Sequence, residues 1–321
     1  MKLCDFAQLK NTAKTRLLYA EKTPQRLILI HTGVSLGAAL LITLIQFFLQ
    51  QQIGQTGGLS GIGSRSILST MQSAVSLAGS ILLPFWEIGI LYAVLRIIRQ
   101  QQADKEHLLA GFYRFGPVFR LMLLRAAIVF GLVMLCMNVA AVIFMSTSLA
   151  DGTLAILQPL WAQAEASGVG AITVSEELIK QMIPTLIPLF VVFGVLALLV
   201  VMPCMYRIRM ANYLILEEKK TGAIAAVAES WNMTRGNTWA LICVDLRFWW
   251  FFLLKGLAAL LGYGAQILVL AGVCLPMPEA AAQLLFYCLS VPVTLGIYWR
   301  FGMYLHAVWA QVYETLLPKE E

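Results

Sequence analysis

The chain has 321 residues, of which 60% are hydrophobic and only 12% charged. Soluble domains hold about 45–50% apolar and about 25% charged residues, so this balance excludes an ordinary soluble domain and points to a chain solvated largely by lipid. The net charge of +6 does not signal a nucleic-acid partner, because the basic residues sit in short segments beside apolar runs, as cytoplasmic membrane loops place them.

A helix that crosses a bilayer needs about 20 apolar residues. Six such runs follow in chain order, near residues 27–49, 74–95, 121–147, 181–205, 240–272 and 282–306. The first begins at Leu27 after mostly polar and basic residues, with no small-residue cleavage pattern behind it, and reads as an uncleaved helix. The fifth is long enough to tilt, break or begin as an interfacial segment. Residues 50–65 are rich in Gln, Gly and Ser, including Gly57, Gly58, Gly61 and Gly63. No strand precedes these glycines and no Lys-Ser or Lys-Thr follows, so they do not form a phosphate-cradling loop. The 148–180 connection is longer and mildly acidic, with Asp151, Glu165, Glu176 and Glu177. Thr173 and Glu176 stand there at capping-box spacing ahead of the fourth span.

Lys and Arg divide unevenly among the connections. The N-terminal segment, the second connection and the fourth hold 17 of them with their flanks, while the three opposite connections hold only Arg65 and Lys180. That asymmetry predicts a cytoplasmic N-terminus, and an even number of spans returns the C-terminus to the same side.

The basic segments share a plan. Phe6, Leu9, Ala13 and Leu17 recur at helical spacing before the first span; Leu108, Leu109, Phe112, Phe115 and Phe119 do so before the third; Ile224, Val227, Trp231 and Thr234 do so before the fifth. Breakers follow each stripe at Thr23-Pro24, Gly116-Pro117 and Gly236-Asn237. The expected fold is an all-α integral membrane protein of six transmembrane helices in three hairpins, each preceded by a cytoplasmic interfacial amphipathic helix. Residues 1–321 form a single membrane domain in this reading, with internal repeats over 1–100, 101–218 and 219–321.

Charges inside spans are costly and draw attention first. Glu87 lies nine residues before Arg96, about 13 Å along a helix, so it is expected near the membrane centre, facing the bundle interior with Lys255 as its partner. Asp245 and Arg247 are expected to pair at the membrane boundary, and Arg300 to snorkel toward it. His31, His107 and His306 are scattered without metal spacing. Six cysteines (Cys4, Cys136, Cys204, Cys243, Cys274 and Cys288) are too dispersed for a metal or redox motif. Gly33 and Gly37 make a small-residue pair suited to close helix packing. Pro84, Pro184, Pro188 and Pro292 are expected to kink their spans, and most of the eight tryptophans suit an interfacial belt. No catalytic motif is present, and neither a metal nor a cofactor is expected.

Several stretches carry a family likeness. Pro84-Phe85-Trp86-Glu87-Ile88-Gly89 runs into Arg96 and Arg99, then Leu109-Ala110-Gly111-Phe112. Met210-Ala211-Asn212-Tyr213 is followed by Ala225 to Ser230, Met233-Thr234-Arg235-Gly236-Asn237 and Asp245-Leu246-Arg247-Phe248-Trp249, and Tyr313-Glu314 lies near the end. In these stretches the chain resembles a bacterial membrane-protein family known as domain of unknown function 975. The 148–180 loop and Lys255 depart from the likeness. The resemblance implies a fold plan and topology, and supplies no activity, cofactor or catalytic residue. The expectation is therefore a non-enzymatic protein of the bacterial cytoplasmic (inner) membrane, binding membrane lipids, a protein partner or a second copy of itself. The alternative is a transporter or permease-like protein for a small solute or lipid.

Overall fold

The computed structural model of the chain describes residues 6–20, 23–55, 62–147, 176–217, 222–270 and 279–317. Cys4, Cys274, Gly57, Gly58, Gly61, Asp151, Glu165 and Thr173 of the expected capping box lie outside these residues. Every regular element among the described residues is helical. In chain order they are α1 (Phe6–Tyr19), α2 (Thr23–Gln55), α3 (Ile62–Ile98), a 3-10 turn (Lys105–Leu109), α4 (Ala110–Tyr113), α5 (Phe115–Met145) and α6 (Glu176–Leu196). A π turn (Ala197–Val201) leads into α7 (Met202–Ile208) and α8 (Ala211–Leu214), followed by α9 (Ala223–Met233), α10 (Thr238–Leu246), α11 (Trp249–Gly262), α12 (Gly264–Leu270) and α13 (Glu279–Ile297). A second π turn (Tyr298–Gly302) joins α13 to α14 (Met303–Leu316).

Among the described residues five helical stretches are long and apolar enough to cross a membrane: Thr23–Leu49, Ile67–Ile98, Phe115–Met145, Leu186–Leu214 and Ala281–Leu316. They mark a multi-pass membrane protein. Two hydroxyls of the first stretch are satisfied locally: Ser35 Oγ donates to the His31 carbonyl at 2.8 Å and Thr43 Oγ1 to the Ala39 carbonyl at 2.9 Å. Such back-bonding is what lipid demands of a polar side chain on a spanning helix. Helices run through Pro84, Pro184, Pro188 and Pro292.

The expected fifth span is not one helix. It is divided into α10, α11 and α12 by interruptions at Arg247-Phe248 and at Tyr263. Its longest apolar piece, Trp249–Gly262, has 14 residues, about 21 Å of helix against a hydrocarbon core of about 30 Å. The second break is flanked by Gly262 and Gly264, where an added Cβ would meet Ser290 and the Phe286 ring. Small residues at this point let the broken helix lie close against α13.

Contacts divide the chain into two compact units, Met1–Arg120 with Met210–Glu321, and Leu121–Arg209. In the first, α2 packs along α3, α11 and α12 pack on α13, and α13 also touches α2. Its basic end is the densest part, with Phe85, Ile90, Leu95, Ile98, Tyr213, Trp309 and Tyr313 fully buried. The second unit holds most of α5 together with α6 and α7, and presents Phe130, Leu135, Val142, Phe190 and Leu198 on its surface. Exposed side chains of that size, ranged along helices, suit a lipid environment.

The three basic segments take up their apolar faces differently. α1 turns Leu9 and Ala13 inward, as the stripe predicts. The amphipathic helix expected before the third span is instead a 3-10 turn and a four-residue helix, opened by the Asp104 N–H donating to His107 Nδ1 at 2.9 Å. It lies across α3 at two glycines: a Cβ on Gly89 would overlap the Leu108 carbonyl, and one on Gly111 the Phe85 carbonyl. The chain then turns at Arg114, so Gly116 and Pro117 sit inside the first turn of α5, where proline is tolerated. α9 buries Ala223, Ala226 and Ser230, leaving Ile224 77% and Trp231 40% exposed. Gly236, with φ of +81°, makes the turn after it, a conformation open to glycine at little steric cost.

Docking at this end follows a direction. α1 lies on α14 and α3, the 105–113 segment on α3, and α9 on α8.

Candidate functional site

Two features of the first unit bring polar groups together. The first ties the basic end. Arg99 follows the last residue of α3, and Gln100 beyond it turns the chain with a φ of 59°. The Arg99 guanidinium donates through Nη2 to Glu217 Oε1 at 2.5 Å and through Nε to Glu314 Oε1 at 2.6 Å. One cation thus joins the ends of three chain segments. Burial alone would push the Arg99 pKa down, but hydrogen bonds and charge from Glu217 and Glu314 outweigh it and hold the guanidinium above its ordinary value. Arg114 Nη1 donates to the carbonyls of Ile215 at 3.2 Å and Glu217 at 2.6 Å, and Arg16 Nη1 to that of Ile98 at 2.7 Å. These carbonyls lie where helices end and lack intrahelical partners, and arginine is suited to them. Beneath the network the Tyr213 and Tyr313 rings stack at 4.9 Å.

The charged residues singled out from the sequence are placed differently from the expectation. Glu87 is exposed and joins no ion pair among the described residues. At this level of α3 Phe85, Ile88 and Gly89 are buried, and Glu87 stands about 200° round the helix from Phe85. Lys255 is not brought to Glu87; its Nζ lies over the Tyr298 ring, 5.6 Å from the centroid. Asp245 is buried and accepts the Trp309 indole N–H at 2.7 Å, while Arg247 lies over the Phe6 ring of α1 at 4.5 Å. The two therefore reach different elements, α14 and α1. Arg300 is exposed beside the Phe301 ring. Neighbouring positions on α10 and its end cannot both point the same way, which is why the boundary pair does not form. Gly33 and Gly37 have no described atom within 4 Å of an added Cβ, so the expected close packing is not made there. Of the histidines, His31 is buried and stacks on Trp86, whose indole donates to the His31 carbonyl at 2.9 Å. Among the described residues no three His, Cys, Asp or Glu side chains converge as metal ligands would.

The second feature is a cavity of about 580 Å³ between α2, α3, α11, α12 and α13. Its wall is unusually polar for a space between apolar helices, with Gln46, Gln72, Gln266, Gln283, Tyr287 and Lys255. Gln46 Nε2 donates to Ser76 Oγ at 2.7 Å across α2 and α3, and Gln283 Nε2 donates to the Gly262 carbonyl at 3.1 Å across α13 and α11. Gln283 Oε1 is buried without a described donor. No carboxylate lines the cavity, and Lys255 is its one cation among the described residues. Sequence reasoning found Lys255 through its charge and passed over the glutamines. Neutral amides inside apolar runs were the available signal, since each needs a partner in lipid.

The stretches that carry the family likeness converge on the basic end. Phe85 and Gly89 interlock with Leu108 and Gly111, Tyr213 stacks on Tyr313, Glu314 meets Arg99, and Asp245 meets Trp309. No curated protein and no solved structure matches the chain. A family model described as "Protein of unknown function (DUF975)" matches residues 4–314, nearly the whole chain, which therefore belongs to that family.

Proposed function

We propose that this chain is a non-enzymatic protein of a bacterial cytoplasmic membrane that binds lipid along its basic end. In this reading both termini are cytoplasmic, six spans form three hairpins, and the short broken helix α10–α12 supplies the fifth. The directional docking of α1, the 105–113 segment and α9 on the ends of other hairpins supports a threefold internal repeat. One observation carries the lipid-binding reading. The three docking segments leave large apolar side chains uncovered, among them Tyr19, Tyr113 and Ile224 at 76%, 74% and 77% exposure. Lys10, Lys14, Arg120 and Arg235 are exposed on the same segments or beside them. Apolar groups beside lysine and arginine suit the boundary of an anionic leaflet, where each basic residue contributes about 1 kcal/mol.

Spin labels test this in the reconstituted chain. Nitroxides at Tyr113→Cys and Ile224→Cys are expected to be more accessible to oxygen than to a water-soluble nickel chelate, and one at Lys10→Cys the reverse. Aqueous accessibility at both apolar positions would overturn the reading. Cross-linking of those positions to another protein or a second copy would replace lipid as the partner. A permease-like role for a small solute or lipid is the second reading, favoured by the polar cavity; flux through the reconstituted chain would decide for it.

A further inference from the structure

We propose that the cavity between α2, α3, α11, α12 and α13 is a binding site for a phosphate group carried on a polyol, with Lys255 as its counter-charge. The proposal stands apart from the surface belt, since no residue of α1, α4 or α9 lines this space.

Three properties select the ligand. The first is charge. Lys255 projects from α11, a helix of otherwise apolar residues, and the cavity offers it no carboxylate; its described neighbour is the Tyr298 ring. An ammonium among spanning helices needs an anion or water, and a ring face supplies only part of that. The second is hydrogen bonding. Gln283 Oε1 is a buried acceptor whose amide nitrogen is already committed to the Gly262 carbonyl. A buried acceptor calls for a donor, which a phosphate oxygen cannot provide and a hydroxyl can. A ligand with both an anionic phosphate and hydroxyls answers both demands. The third is size. The volume of about 580 Å³ falls in the range of about 300–1,000 Å³ of ligand clefts. From Gln283 to Thr294 the wall runs along α13 for about 16 Å. The antiparallel course of the helices puts Gln46, Gln72, Gln266 and Gln283 toward one end and Lys255 with Thr294 toward the other. Amides thus gather at the end remote from the basic end, and Lys255, itself exposed, stands toward the other.

The phosphate can belong to a lipid headgroup or to a free polyol phosphate, and the experiment separates them. The full chain, purified in mild detergent, is examined by native mass spectrometry with phosphatidylglycerol, with phosphatidic acid and with phosphatidylcholine, and by thermal unfolding with glycerol 3-phosphate. A lipid source predicts retention of one phosphatidylglycerol in preference to phosphatidylcholine. A free source predicts stabilisation by glycerol 3-phosphate without preferential lipid retention. In either case Lys255→Met is expected to weaken binding by about tenfold or more, the loss of one charge-assisted hydrogen bond, and Lys255→Arg to restore most of it. Gln283→Leu is expected to weaken phosphatidylglycerol more than phosphatidic acid, which has no headgroup hydroxyls. Should Lys255→Met fail to fold, a photoreactive phosphatidylglycerol on the unaltered chain must cross-link to peptides of α11 or α13. Binding of neither probe, binding indifferent to Lys255 and Gln283, or cross-links confined to other helices would overturn the proposal.

Discussion

Gly89 and Gly111 show how much one missing methyl group decides. Each faces the backbone carbonyl of the other's segment, Gly89 that of Leu108 and Gly111 that of Phe85. Backbone cannot move aside as a side-chain tip can. Gly89→Ala or Gly111→Ala is therefore expected to destabilise the chain by at least about 1–3 kcal/mol, the usual cost of overpacking. Gly33→Ala is the control: nothing described lies within 4 Å of its added Cβ, and alanine improves helix propensity by up to about 1 kcal/mol. Thermal unfolding in one detergent should show a lowered midpoint for the first two variants and an equal or higher one for the third. The same scale explains Asp245. A sequence shows an acid at a membrane boundary; only the fold shows that its oxygen receives a tryptophan N–H.

Among elements, the joint at Arg99 is the most exacting. It binds the end of α3 to Glu217 beyond α8 and to Glu314 in α14. Its side chain is 32% exposed, so each contact is worth less than a fully buried one. Arg99→Ala removes two charge-assisted hydrogen bonds and leaves two carboxylates facing one another, an expected loss of about 1–3 kcal/mol. A double-mutant cycle with Glu314→Gln should show coupling, because the carboxylate has less to lose once its cation is gone. Additive losses at the two positions would mean that the contact contributes nothing measurable. The amphipathic segments illustrate a limit of reading elements one at a time. Periodicity marked three stretches as helices; the second is a 3-10 turn and a four-residue helix, and of the other two α1 turns Leu9 and Ala13 inward while α9 turns in Ala223, Ala226 and Ser230. A helix with two usable faces cannot tell from its own sequence which one a neighbour will cover.

For the whole molecule, the division of charge among connections makes a topological prediction. Reporter fusions at residues 60 and 165 should lie outside the cell, and fusions at 105, 222 and 321 inside. A reporter at 165 on the cytoplasmic side would defeat the orientation. The two compact units divide the helices, since most of α5 with α6 and α7 belongs to one and the remaining described helices to the other. The basic end belongs throughout to the larger unit, which holds all three docking segments.

Composition and hydropathy by themselves determined the all-helical membrane class and five of the spans, because the transfer of a segment into lipid sums over its own residues. They also marked the fifth run as one able to break. Only the tertiary structure decided where that break falls, which face each basic segment buries, that Glu87 points away from the core, and that Lys255 shares a cavity with four glutamines. Those outcomes depend on the phase of one helix against another and on how closely two backbones approach. Neither quantity is written in a single segment, and a glycine or glutamine acquires its meaning only from the atom that stands opposite.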